Sequence, residues 1–292
     1  MQKTIQDITV FADGLDHPEC VAVHPDGTVW AGGEAGQVYR IAADGSEITE
    51  VVNTGGFILG IAFSPGASWL AICDLKQHCI WKYEITKNKL SLFANHAGDH
   101  QLRIPNYPVF DKTGHLYVSD SGAFREVSGM IYKFDPSGAG HVWHAGPFNF
   151  ANGMALSEDG RTLYVVCTWL PGVESIEIDA DGRAGERKVI ALLPQTCPDG
   201  IAIDSNGDLY ISCYAPNTIF KITVEGEVTT LIHDWESHTL CNPTNIAFGG
   251  KEHKQLFVAG LGRWHIARLE MEIAGLPLSG CATAEASTPK RN

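Results

Sequence analysis

The chain has 292 residues, 44% of them hydrophobic, with 31 glycines, 14 prolines and a formal charge of −13. That length and apolar content suit one large β domain or two ordinary ones, and the acidic balance argues against nucleic acid or an anionic membrane as partner. No apolar run reaches the length of about 18 residues that a helical membrane span needs.

The opening stretch MQKTIQDITVF lacks the basic-then-apolar pattern of a signal peptide, which makes the cytoplasm the expected location. The eight cysteines (20, 73, 79, 167, 197, 213, 241 and 281) are scattered, without Cys-x-x-Cys pairs, and most lie in apolar runs. Reduced, buried thiols are expected, rather than disulfides or a structural zinc site. Residues 8–11 (ITVF) read as a short strand. At Glu19 a longer unit begins: VAVHPDG (21–27), then VW (29–30), then the alternating QVYRI (37–41) and EVV (50–52). It reads as four short strands, the first two joined by a polar turn.

The same unit recurs along the chain. Gly60 leads into IAFSPG and a run at Trp69, and Asn106 leads into VFDKTG and LYV. Asn152 leads into GMALSEDG and LYV, Asp199 into GIAIDSNG and LYI, and Asn245 into IAFG and LFV. The leading positions 19, 60, 106, 152, 199 and 245 lie 41, 46, 46, 47 and 46 residues apart. A period in the mid-forties with four strands per unit is the signature of propeller blades. The expected fold is all-β: a six-bladed β-propeller of four-stranded antiparallel blades around a central channel, one domain over 1–292. Residues 8–11 are expected to complete the last blade and so remove two open sheet edges. The polar stretch 95–104, with His96 and His100 around a glycine, reads as a rim loop rather than a helical metal motif. Residues 272–292 read as a loosely held tail.

First strands line a propeller's channel, so leaders far apart in sequence become neighbours. Glu19, Asn106, Asn152 and Asp199 would bring two carboxylates and two amide oxygens to one channel mouth. That hard, all-oxygen set suits a divalent cation, calcium best by donor type, with zinc, manganese or magnesium as alternatives. For any one leader, a turn residue bonding nearby backbone is the simpler reading; the shared repeat position is what favours a common site. Gly60 leaves a gap in this ring, beside which residues 57–59 (FIL) offer an apolar wall. Arg103, three residues before Asn106, is either a substrate contact or a solvated rim charge. Trp169, Tyr214 and Trp264 follow second strands and are expected in the core or on the outer rim, away from the leaders. Asp74 and Asp120 end second strands and are expected to serve turns. No Gly-x-Ser-x-Gly elbow and no phosphate loop is present.

Glu19, Arg103 ahead of Asn106, Asn152-Gly153 and Pro198-Asp199-Gly200 together resemble the SMP-30/gluconolactonase/LRE family of regucalcin-like lactonases, relatives of the diisopropyl-fluorophosphatase-type propellers. The resemblance implies a metal-dependent lactone hydrolase with Glu19, Asn152 and Asp199 as metal ligands. It also implies Asn106 as a fourth ligand or a substrate contact, Arg103 as a substrate-binding residue, and Asp199 as general base. Two departures, Tyr107 after the asparagine and the His17-Pro-Glu19-Cys20 context, point to a lactone less polar than a sugar lactone, or another small ester. Organophosphate hydrolysis on the same metal, or a propeller binding scaffold with a structural metal, are the alternatives.

Overall fold

The computed structural model describes residues 2–278. Six four-stranded antiparallel sheets follow one another along the chain. The first strands are Cys20–Val23, Ile58–Phe63, Pro105–Phe110, Ala151–Leu156, Cys197–Ile203 and Pro243–Gly249, and each contacts the next, the sixth returning to the first. This is the expected six-bladed propeller. Ile8–Asp13 pairs with His265–Glu270 and supplies the outer strand of the sixth blade, joining the two ends of the ring. The only helical pieces among the described residues are two short 3-10 turns, Ile85–Lys87 and Lys251–His253, and none is long and apolar enough to cross a membrane.

Period-two alternation along each strand sends side chains to both faces of its blade, so the apolar core is divided among the blade interfaces. Six clusters result, one per interface. Trp30, Ile58 and Phe63 join blades one and two, Tyr117, Phe148 and Leu163 join three and four, and Phe11, Val21 and Phe257 close six onto one. The glycines that end the first turn of four blades (27, 114, 160 and 207) have φ between +71° and +90°, a conformation that costs a side-chain-bearing residue.

Close approach of neighbouring first strands imposes a second use of glycine. A Cβ at Gly153 would lie 2.6 Å from the Asp199 carbonyl oxygen, and one at Gly200 would lie 2.6 Å from that of Thr244. Both contacts are with backbone that cannot swing away. Gly153→Ala is therefore expected to destabilise the fold by about 1–3 kcal/mol through overpacking, read as a lower denaturant midpoint with unchanged slope.

All seven described cysteines are free; Cys281 lies outside the described residues. His96–Ala97 and His100–Gln101 form a two-stranded ribbon, in keeping with a rim loop. At the expected loose tail the structure differs in part. Ala274 accepts a hydrogen bond from Ser205 N–H, Leu276 N–H donates to Ile203, and Leu276 packs with the core between blades four and five. These contacts fasten the segment over the channel end opposite the leaders, where it helps line a cavity of about 370 Å³ with Phe63, Phe110 and Phe248. Residues 279–292 lie outside the described residues.

Candidate metal centre

In five of the six blades the first strand begins with an irregularity in which two residues face one on the second strand; blade one, paired in register from Cys20, shows none. Asn106 and Tyr107 lie opposite Ser119, Asn152 and Gly153 opposite Val166, and Asp199 and Gly200 opposite Ser212. Such a bulge re-aims a side chain out of the pleat, and it fixes which residue of each blade holds the leading position. In blades two and six the register differs from the repeat count by one residue. Leu59 and Gly60 lie opposite Cys73, and Thr244 and Asn245 opposite Ala259. The leading residues are thus Glu19, Leu59, Asn106, Asn152, Asp199 and Thr244. Gly60 holds the following position, like Gly153 and Gly200, where its Cβ would lie 2.4 Å from the Asn106 carbonyl oxygen. It is a packing glycine, and the apolar gap in the ring is filled by half-buried Leu59.

A set of second-strand hydroxyls, not singled out from the sequence, fixes this ring. Ser121 accepts from Asn106 Nδ2 at 3.0 Å and Thr168 accepts from Asn152 Nδ2 at 3.2 Å. With both amide nitrogens held at the wall, the amide oxygens are the groups left to serve the channel. The same hydroxyls donate to the next blade, Ser121 to Ala151 O and Thr168 to Pro198 O. Ser119 and Ser212 donate to the leading carbonyls Asn152 O and Thr244 O, and Thr244 Oγ1 donates to Glu19 O at 2.7 Å, so the series runs from blade three through blade six to blade one. Their signal in the sequence is a Ser or Thr 13 to 16 residues after a leader.

The two carboxylates are partly buried at the leading ends of their strands. Desolvation, and then the Asp199 charge, push Glu19 well above the ordinary range, with Thr244 partly offsetting this. Desolvation raises Asp199 to about 8, and a hydrogen bond from the Asn152 side chain works against the rise. Glu19 Oε2 is buried without a hydrogen-bond partner among the described residues, and so is Asn245 Oδ1. Asn106 and Asn152 are each 5% exposed. No group of three or more His, Cys, Asp or Glu residues gathers among the described residues, so a cation at this mouth would draw on amide as well as carboxylate oxygen. An orphaned carboxylate oxygen, two neighbouring carboxylates and amide oxygens with their nitrogens tied back form a donor set that fits a hard divalent cation.

Arg103 sits on the rim of this mouth. Its side chain is exposed, and no hydrogen bond or ion pair among the described residues ties it to the leaders. Its backbone is held firmly: the Asp120 carboxylate accepts N–H bonds from Arg103 at 2.7 Å, Ile104 at 3.0 Å and Gly122 at 3.0 Å. Asp74 does the same for Phe57 and Gln77. Both aspartates thus serve loops, as expected.

The aromatic residues after the second strands do not lie away from the leaders. Antiparallel pairing returns each second strand to the leading end, so these loops surround the mouth. Trp169 N–H donates to Asn149 O, three residues before Asn152. The Tyr214 hydroxyl is raised by desolvation and then by the charges of Glu19 and Asp199. Within the channel, burial pushes the Tyr107 hydroxyl up to about 12, opposed by the Asn245 side chain.

A family model described as the SMP-30/Gluconolactonase/LRE-like region matches residues 83–261, and one described as strictosidine synthase-like, N-terminal, matches residues 5–41. Regucalcin of Gallus gallus is 25% identical over 166 residues, which cover 52% of this chain and 54% of that protein. The chain thus spans about half the length of that curated relative. A gluconolactonase from Xanthomonas campestris superposes with a TM-score of 0.77 at 20% identity, over 90% of this chain and 89% of that one. A calcium-binding regucalcin from Agrobacterium tumefaciens superposes at 0.75 with 18% identity, over 92% and 97%. At these identities the two structures are likenesses of fold.

Proposed function

The chain belongs to the SMP-30/gluconolactonase/LRE-like family, and on that premise we propose that it hydrolyses a lactone, or a related small ester, at a divalent cation in the channel mouth. The observation that carries the reading is the pair Glu19 and Asp199, two desolvated carboxylates close enough for the Asp199 charge to raise Glu19, with no cationic side chain paired to either among the described residues. Glu19, Asn152 and Asp199 would hold the cation, with Asn106 as a fourth ligand or as a contact to the substrate. Calcium suits this oxygen set best, and zinc, manganese or magnesium are the alternatives. When bound, the cation supplies Lewis acidity that polarises the lactone carbonyl and balances the charge developing on its oxygen.

The chain's own residues supply the rest. Asp199 takes the proton of the attacking water as the oxygen adds to the carbonyl carbon. The ring C–O bond then breaks, the proton goes to the departing alkoxide oxygen, and a hydroxy acid results. Thr168 and Ser121 keep the two amides turned so that their oxygens serve the site. Leu59 gives the mouth one apolar side, which favours a ring less polar than a sugar lactone. Arg103 stands on the rim, where it could meet a polar substituent of the substrate. The seven described cysteines are all unpaired, which would suit a cytoplasmic setting.

The test is hydrolysis of a panel of sugar and aliphatic lactones by chelated protein, with calcium, zinc, manganese or magnesium added back. Turnover that returns with cation supports the reading, and the preferred ring defines the pocket. Tight cation binding with no turnover of any lactone or ester contradicts it.

A further inference from the structure

The rim carries a second arginine, on the loop 121–128 between the second and third strands of blade three. Arg125 has φ +59° and lays its guanidinium over two aromatic rings, 5.6 Å from the centroid of Phe124 and 5.5 Å from that of Trp169. Those rings meet edge to face at 5.6 Å, and Phe150 completes the cluster at 6.1 Å and 5.9 Å from them. The cluster adjoins the site. Trp169 follows Thr168, which holds the Asn152 amide, and Phe150 lies two residues before Asn152. Asp120 anchors the base of this loop through Gly122 N–H and the Arg103 loop through two further bonds, so one buried carboxylate sets both arginines on the same rim.

The chain carries a net charge of −13, yet the Arg125 guanidinium is taken up by rings and not by a carboxylate. Among the described residues, the Arg125 side chain makes no ion pair and no hydrogen bond, only the two stacking contacts. These cation–π contacts seat the guanidinium against two nearly perpendicular rings and leave its N–H groups without a protein partner among the described residues, available for bidentate recognition of a carboxylate. Phe124, 65% exposed, offers hydrocarbon surface beside that charge.

We propose that Arg125 is a specificity-determining residue that binds the carboxylate of an acidic substrate, so that the preferred lactone carries a second, ionised acid group outside the ring ester. The proposal rests on the lactone-hydrolase reading above for the reaction, but not for the binding.

The test compares γ-butyrolactone-γ-carboxylate with its primary amide, using the calcium-loaded parent, Arg125→Gln and Arg125→Lys. The parent is expected to prefer the acid. Arg125→Gln is expected to cut the acid-to-amide ratio of kcat/KM by about 10- to 100-fold, mainly through KM, which is the range for a lost charged hydrogen bond. Arg125→Lys is expected to restore part of the ratio. A ratio that Arg125→Gln leaves in place overturns the proposal while the lactonase reading stands. Calorimetric binding of the ring-opened hydroxy-dicarboxylate separates the two ideas. If no lactone is turned over but the dicarboxylate binds the parent and about tenfold or more weaker to Arg125→Gln, the site assignment holds and the reaction does not. If the dicarboxylate binds neither protein, or both equally, the proposal is wrong.

Discussion

An Asp199→Asn variant is expected to lose about 10²- to 10⁴-fold in kcat for the best lactone, the usual contribution of a general base. Asparagine keeps the shape and one oxygen for the cation, but it cannot take a proton from water. The loss should therefore persist at saturating cation, which separates the base from the ligand role. Gly200 and its contact with the Thr244 carbonyl are untouched by the change, so the strand path is kept. Equal kcat in parent and variant would show that the proton goes elsewhere and that Asp199 at most holds the cation.

The second large effect is on stability. Freed of cation, the protein is expected to be more stable at pH 5 than at pH 8, and calcium is expected to raise the melting temperature more at pH 8. The sign follows from the two carboxylates. In the unfolded chain Asp199 ionises near 3.8, whereas in the fold it holds its proton up to about 8, and Glu19 is displaced in the same direction. The folded state binds more protons across that window, so its stability falls as pH rises through it. A cation supplies the missing positive charge and removes most of the penalty. At a hundredfold excess over Kd it stabilises by about 2.7 kcal/mol, or roughly 4 °C in a domain of this size. Carboxylates held low, such as Asp26 at about 2, act only below this window. His144, lowered mainly by burial, acts in the opposite sense within it. The decisive comparison is therefore between the parent and Asp199→Asn, each scanned by calorimetry at both pH values after chelation. Parallel pH dependence in the two proteins would refute the account.

The fold was legible because a blade is a local unit repeated at a constant interval, and six copies average out the ambiguity of any one strand. Four leading residues were legible for the same reason. Where the reading slipped, at Gly60 and Asn245, the cause is the bulge: a residue inserted opposite one partner moves the register by one without disturbing the period. Glycine conserves space at the position after the leader in blades two, four and five, and in blade two it drew attention away from Leu59. The hydroxyls that orient Asn106 and Asn152 were harder to see, because a strand serine looks the same whether or not it serves a neighbouring blade. The aromatic loops were assigned away from the leaders, although the second strand of an antiparallel pair must end where the first begins. Arg125 carries no sequence motif; only its stacking on rings from two blades sets it apart.

The central claim is that the leading residues of four blades form one cation site. It is tested most directly by calorimetric titration of calcium into chelated parent, Asn152→Ala and Asp199→Asn. The account predicts one calcium per chain in the parent, with affinity weakened about tenfold or more in each variant by loss of one oxygen ligand or one charge. No calcium binding in the parent, or equal affinity in all three proteins, would contradict it.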